Sequence, residues 1–177
     1  MLKRLCKLVA LCLIAAIGWG IWQSYGPQPA PPDLAAAADR VDRILIEKSA
    51  RRLTASRQGE TVLEYNIALG FEPRGDKFQE GDGKTPEGLF KVNRRNEQSS
   101  YHLSLGLDYP HAEHKTLAAA AGVSPGGDIF IHGQPNTLGG VLILPGDWTA
   151  GCIAISDAEM DVLWELVELG TVVEIRP

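Results

Sequence analysis

A chain of 177 residues that is 45% hydrophobic and 22% charged, with 11 prolines, suits one compact domain carrying an appendage. Acidic residues outnumber basic ones, and beyond Gly26 the imbalance is 22 against 14, a formal −8. That charge argues against nucleic acid as a partner.

The appendage is N-terminal. Lys3, Arg4 and Lys7 precede a charge-free stretch from Leu8 to Trp22, the pattern of an export signal. Its 15 residues fall short of the roughly 20 that span a bilayer comfortably. The following "QSYGPQPAPPDL" offers no pair of small residues suited to cleavage, so residues 1–25 are expected to be an uncleaved signal anchor rather than a cleaved signal peptide. Basic residues stay in the cytoplasm, which puts the remainder in the periplasm, tethered to the inner membrane. Cys6 and Cys12 read as small apolar residues in lipid, and Leu5 and Leu11 before them exclude lipidation. Cys152 is then the only exported cysteine, without a disulfide partner in the folded domain.

Residues 26–41 form a Pro/Ala-rich spacer, with a short helical turn expected at 34–39. Residues 42–177 are the folded domain. "RILIEKS", "RRLTASR" and "TVLEYNIAL" predict a three-strand meander, with "SRQGE" as the second turn. Residues 71–88, rich in Gly, Pro and charge, predict a long loop, and a loop of that length is more often functional than idle. "LFKVN" and "YHLSLGL" are short strands, and an Ala-rich helical turn follows within 109–127, ended by Gly122 and Pro125. "DIFIHG" is a buried strand ending at His132, "CIAIS" alternates, and "TVVEIR" closes the domain. Ser156 and Glu159 form a capping box that starts a helix to about Glu168, with Val162, Leu163, Leu166 and Val167 on its inner stripe. The fold class is mainly β, sandwich-like, with one clear helix after Cys152.

A cysteine that attacks a carbonyl needs a base, since a thiol with pKa about 8.5 is mostly protonated at neutral pH. His132, at the end of a rigid strand, is the candidate, and Gly133 leaves room beside it. The chain returns at Cys152 twenty residues later. Gly151 permits a tight turn whose N–H groups suit a developing oxyanion, and Thr149 adds a hydroxyl. Spacing alone leaves a packed core cysteine open as the alternative.

"IHG" followed by "TAGCIAIS" resembles the active-site signature of the L,D-transpeptidase (YkuD-type) catalytic domain. "ALGFEP", "GDGKTPEGLFKV", "YHLSLGLDYP", "GVSPGGDIFIHG" and "DWTAGCIAISDAEMDVLW" are similar, in order, to its YafK/ErfK-like murein branch, over about residues 42–176. The resemblance implies a cofactor-free acyltransferase acting on peptidoglycan stem peptides. Cys152 is its nucleophile, His132 its base, and the Gly133 carbonyl orients the imidazole. Gly151 and Cys152 N–H groups form the oxyanion hole. The thioester formed at the L-centre of diaminopimelate passes to an amine of a second stem peptide or of an outer-membrane lipoprotein. Water as acceptor would make the enzyme a carboxypeptidase or amidase. A non-catalytic wall-binding module is the alternative of another class.

The family's arginine two residues after the cysteine is here Ala154, so its role cannot transfer; Lys84, Arg74 and Lys77 are the nearest exported cations. Trp148, Asp147, Thr149 and Lys84 are candidates to line the cleft. His111 and His114 in "HAEH" read as a solvated loop rather than a metal site. His102 reads as an ordinary strand-surface residue. "GDGKTPEG" lacks the spacing of a phosphate loop.

Overall fold

The computed structural model describes residues 2–26 and 30–177, without the side chains of residues 2, 3, 5, 6 and 23–25. The side chain of Cys6 and spacer residues 27–29 therefore lie outside the described residues.

Leu2–Tyr25 is one 24-residue helix, α1, with Leu8, Leu11, Ile14 and Trp22 exposed. Among the described residues no helix is long and apolar enough to cross a membrane. Seven side chains of α1 lie outside the described residues, so the expected signal anchor over residues 1–25 stays an expectation. The spacer ends in a 3-10 turn at Ala37–Asp39, and from Ala35 onward it lies on the domain. Ala35 and Val41 N–H groups donate to the carbonyls of Glu165 and Leu166 at 2.8 and 3.0 Å.

Eight strands form one curled sheet. The meander is β1 (Arg43–Glu47), β2 (Arg52–Arg57) and β3 (Glu60–Asn66), paired antiparallel. Their alternating apolar residues bury Ile44, Ile46, Leu53 and Ala55 completely, as a half-buried sheet requires. Then come β4 (Gly88–Asn96), β5 (Ser104–Leu107), β6 (Phe130–His132), β7 (Ile153–Ala154) and β8 (Val172–Arg176). The order across the sheet is β3-β2-β1-β8-β4-β5-β6-β7, with β1/β8 and β6/β7 parallel. Nine-residue β4 belongs to both halves, pairing β8 along its first residues and β5 along its last, with a bulge between Val92 and Arg94. A bulge increases local twist, and here it turns the sheet toward closure. Beyond β3 the chain bridges back to the far edge, Ala68 to Ala154 and Gly70 to Thr149.

Two helices complete the domain, α2 (Ala112–Ala120) and α3 (Asp157–Leu166). The capping box of α3 is formed as expected: Glu159 N–H donates to Ser156 Oγ, and Ser156 N–H to Glu159 Oε2 at 2.9 Å. Its buried stripe is Met160, Leu163, Trp164 and Val167, while Val162 is 40% exposed. Leu163 and Val167 are buried as expected and Leu166 packs partly on the core, while Met160 and Trp164 join them in place of Val162, with the Arg95 guanidinium over the Trp164 ring at 3.8 Å.

Candidate active site

The register of β6 and β7 decides how the two expected reactive residues meet. Ile131 pairs with Ile153, and both are fully buried in the core. Alternation then sends the flanking residues, His132 on β6 and Cys152 leading into β7, to the opposite face as diagonal neighbours. Both line one cavity of about 460 Å³, together with Tyr101, Trp148 and Thr149.

His132 is 4% exposed, and its Nδ1 lies 2.7 Å from the Gly133 carbonyl oxygen. A carbonyl only accepts, so Nδ1 carries the proton and Nε2 keeps its lone pair. Burial pushes the imidazole below its ordinary 6.5, against a smaller upward pull from that carbonyl. Tyr101 stacks on the ring at 4.6 Å between centroids, and Trp148 meets it near edge-on at 5.7 Å.

Gly133 is a packing requirement rather than an opening for substrate. A Cβ there would stand 2.5 Å from Asp157 Oδ1 and 2.9 Å from His102 Cβ.

Cys152 is half-buried, with Sγ 3.4 Å from the Asp128 carbonyl oxygen. Burial pushes its thiol above the ordinary 9.0; the Phe130 backbone pulls it down, Asp128 raises it and the Lys77 charge lowers it. Burial thus favours the uncharged form of both the thiol and the imidazole.

The turn before Cys152 is held by Thr149, which is 4% exposed. Thr149 Oγ1 donates to the Cys152 carbonyl at 2.7 Å and accepts the Gly151 N–H at 3.1 Å. That N–H, expected to serve an oxyanion, donates to the threonine hydroxyl in this structure. Gly151 adopts φ +137°, and a Cβ would lie 2.7 Å from the Lys84 carbonyl oxygen. Lys84 thus backs the turn through its main chain, while its Nζ sits near Gly75, 3.3 Å from where a Cβ would stand.

Ala154, set opposite His132 by the register, is 2% exposed. It borders a separate cavity of about 350 Å³ with Arg51 and Asp147, which does not include Cys152 or His132. Arg51 Nε and Nη2 donate to the Asp147 carboxylate at 2.7–3.1 Å, and Leu69 N–H donates to Asp147 Oδ1 at 2.9 Å. Asp147 therefore braces the turn from behind rather than lining the His132 cavity. Arg74 lies apart, bordering a cavity with Glu87 and Pro177.

His102 departs from its expected strand. It has φ +62°, its N–H donates to Asn136 Oδ1, and Nε2 lies 2.6 Å from Asp161 Oδ1. His111 and His114 lie at the start of α2, not in a loop. The His111 N–H donates to His114 Nδ1 at 3.0 Å, and His111 Nε2 lies 3.1 Å from Asp108 Oδ1. With Glu113 they bring three ligand atoms within 4.8 Å of one another, but helix capping uses one of the ring nitrogens.

Sequence reasoning missed Tyr101 and Asp128 as cleft residues. The only local sign was an aromatic before β5 and an aspartate before β6; their convergence depends on strand pairing.

A profile of the YkuD L,D-transpeptidase catalytic domain matches residues 41–175. Among solved structures, the helical cell shape determining protein Pgp2 of Campylobacter jejuni superposes with TM-score 0.59 at 25% identity, over 91% of this chain and 55% of that one. Bd1075 of Bdellovibrio bacteriovorus gives 0.57 at 23%, over 81% and 50%. The L,D-transpeptidase of Xylanimonas cellulosilytica (residues 123–326) gives 0.52 at 17%, over 89% and 78%, a likeness of fold. The chain spans about half the length of the first two. No curated protein matches.

Proposed function

The chain belongs to the L,D-transpeptidase catalytic-domain family, and from that premise we propose that it transfers peptidoglycan stem peptides through a thioester on Cys152. The observation that carries the reading is the pairing of Ile131 with Ile153, which turns His132 and Cys152 to one face and into one cavity.

His132 Nε2 takes the thiol proton as sulfur attacks the carbonyl carbon of the donor peptide. The C–S bond forms, and the Cys152 N–H receives the oxygen that gains charge. The C–N bond then breaks as the imidazolium gives its proton to the departing D-alanine amine. An acceptor amine attacks the thioester, passes its proton back to Nε2, and leaves the thiol restored. The Gly133 carbonyl holds one tautomer throughout, so no ring flip is needed between the two steps.

The acceptor is the amine of a second stem peptide; a lysine of an outer-membrane lipoprotein would use the same chemistry. The basic start and apolar middle of α1 support action outside the cytoplasm, and the mass of the exported chain tests whether α1 stays attached.

Tetrapeptide muropeptides incubated with the purified chain should yield 3–3 dimers and free D-alanine, both lost in Cys152→Ala. Tripeptides alone would assign water as the acceptor. No product, together with an unmodified Cys152 after carbapenem treatment, would overturn the enzyme reading.

A further inference from the structure

Cys152 stands between two cavities. His132 faces only the first of them. The second, about 350 Å³, is bordered by Cys152, Lys77, Glu80, Ser124, Gly126 and Asp128.

Lys77 is the unusual member. It is 5% exposed, and burying an ammonium is costly without partners. Its Nζ donates to the Gln79 carbonyl at 3.0 Å and to Asp82 Oδ1 at 2.8 Å, which uses two of its three hydrogens. Asp82 does not spend its whole charge on Lys77, since it also accepts from the N–H groups of Phe78, Gln79 and Lys84 at 2.8–3.0 Å. The other buried lysine, Lys48, differs: the Gly75 and Thr85 carbonyls and Glu87 take all three of its hydrogens, so it is a structural tie. Among the described residues Lys77 alone combines a spare donor, a buried charge and a place on the wall beside the nucleophile.

The position of His132 fixes which part of the substrate reaches Lys77. The imidazole must protonate the departing amine, so the leaving group goes to the first cavity. The acyl residue, still bonded to sulfur, extends into the second. Glu80 and Asp128 border that cavity too; Arg94 Nη2 donates to Asp128 Oδ1 at 2.7 Å, which leaves the Glu80 carboxylate and Asp128 Oδ2 to face an ammonium beside that of Lys77.

We propose that Lys77 binds a carboxylate on the side chain of the acyl residue, with Glu80 and Asp128 facing the ammonium beside it. The ligand is thus the zwitterionic amino-acid end of a diamino dicarboxylic side chain. This rests on the proposed function, since it names the part of the donor that the thioester site selects.

Binding to full-length Cys152→Ala, measured by calorimetry, tests it without catalysis. The probes are two tetrapeptides that differ only in the third residue, diaminopimelate or lysine; lysine lacks just that carboxylate. A charge-assisted contact predicts tighter binding of the diaminopimelate peptide by about tenfold or more. Adding Lys77→Met with Asp82→Asn, which removes the charge and its buried partner together, should bring the ratio close to one. If the double change unfolds the domain, amide shifts at residues 77–82 of Cys152→Ala, induced by the diaminopimelate peptide and not by the lysine peptide, support the same assignment.

Equal affinity for the two peptides, no binding of either, or a preference that survives loss of Lys77 overturns it. Carbapenem acylation of unsubstituted Cys152 reports separately on the nucleophile. An adduct without the peptide preference therefore sinks the subsite alone.

Discussion

Thr149 closes the nucleophile turn on Cys152 itself, its hydroxyl donating to the Cys152 carbonyl at 2.7 Å while accepting the Gly151 N–H. One hydroxyl thus sets the direction of the peptide plane that follows the thiol. Thr149→Val keeps the shape and removes both bonds. It should lower kcat by about tenfold to a hundredfold with a smaller change in KM, and cost about 1–3 kcal/mol in a denaturant melt. Thr149→Ser should recover most of both; equal losses in Thr149→Ser and Thr149→Val would assign the effect to packing of the methyl group instead.

Burial acts on His132 and Cys152 in opposite directions, lowering one pKa and raising the other. His132 must be neutral to accept a proton, and its pKa is depressed, so the acid limb of kcat/KM should fall below pH 6.5. Burial favours the protonated thiol, so iodoacetamide labelling of Cys152 in His132→Gln should have a midpoint above that of a free cysteine. A labelling midpoint below 8 would refute the neutral pair.

Asp82 anchors the loop that carries Lys77. Burial alone would raise its pKa, but the Lys77 ammonium and the N–H groups of Gln79, Phe78 and Lys84 outweigh that and hold it at about 2, against an ordinary 3.8. The folded value is depressed, so the stability it contributes is fully present above pH 3.8 and is lost as pH falls toward about 2. Asp82→Asn should cost on the order of 1–3 kcal/mol at pH 7 and flatten the acid side of a plot of melting temperature against pH.

Gly151 tolerates no side chain, because φ +137° strains any other residue and its Cβ would press on the Lys84 carbonyl. Gly151→Ala should leave the far-UV spectrum of the fold intact, lower stability by about 1–3 kcal/mol and abolish carbapenem acylation within the time in which the parent chain is fully labelled. Acylation at the parent rate would show that the turn yields at no cost.

Local features were legible in the sequence. The capping box at Ser156 and Glu159 needs only four consecutive residues, and the meander needs only alternation and a turn, so both formed where expected. His132 and Cys152 were found by type and order, and strand pairing then brought them together. What failed was non-local. β4 runs on through polar Arg94, Arg95 and Asn96 because β5 pairs with them, and Arg95 then lies over Trp164, a residue of α3 not expected to be buried. The strand expected at residue 101 starts only at Ser104, since His102 takes a left-handed conformation that frees Tyr101 to lie on His132. Lys77 and Lys84 look alike in a Gly-rich loop; the fold alone puts one ammonium beside the thiol and the other beside Gly75.

The strand order has a consequence for how the domain assembles. β8 is the last strand in the chain yet sits in the middle of the sheet, between β1 and β4. Until it arrives, the meander and the β4–β7 half meet only through the bridges from Ala68 and Gly70 to Ala154 and Thr149, and β1 and β4 each have an open edge. A nascent chain released from the ribosome or a translocation channel one strand too early would carry two half-sheets joined at one side only. Maturation of the nucleophile is thereby tied to the arrival of residues 172–176, and a stop codon ahead of them should leave a protein that aggregates rather than one with weakened activity.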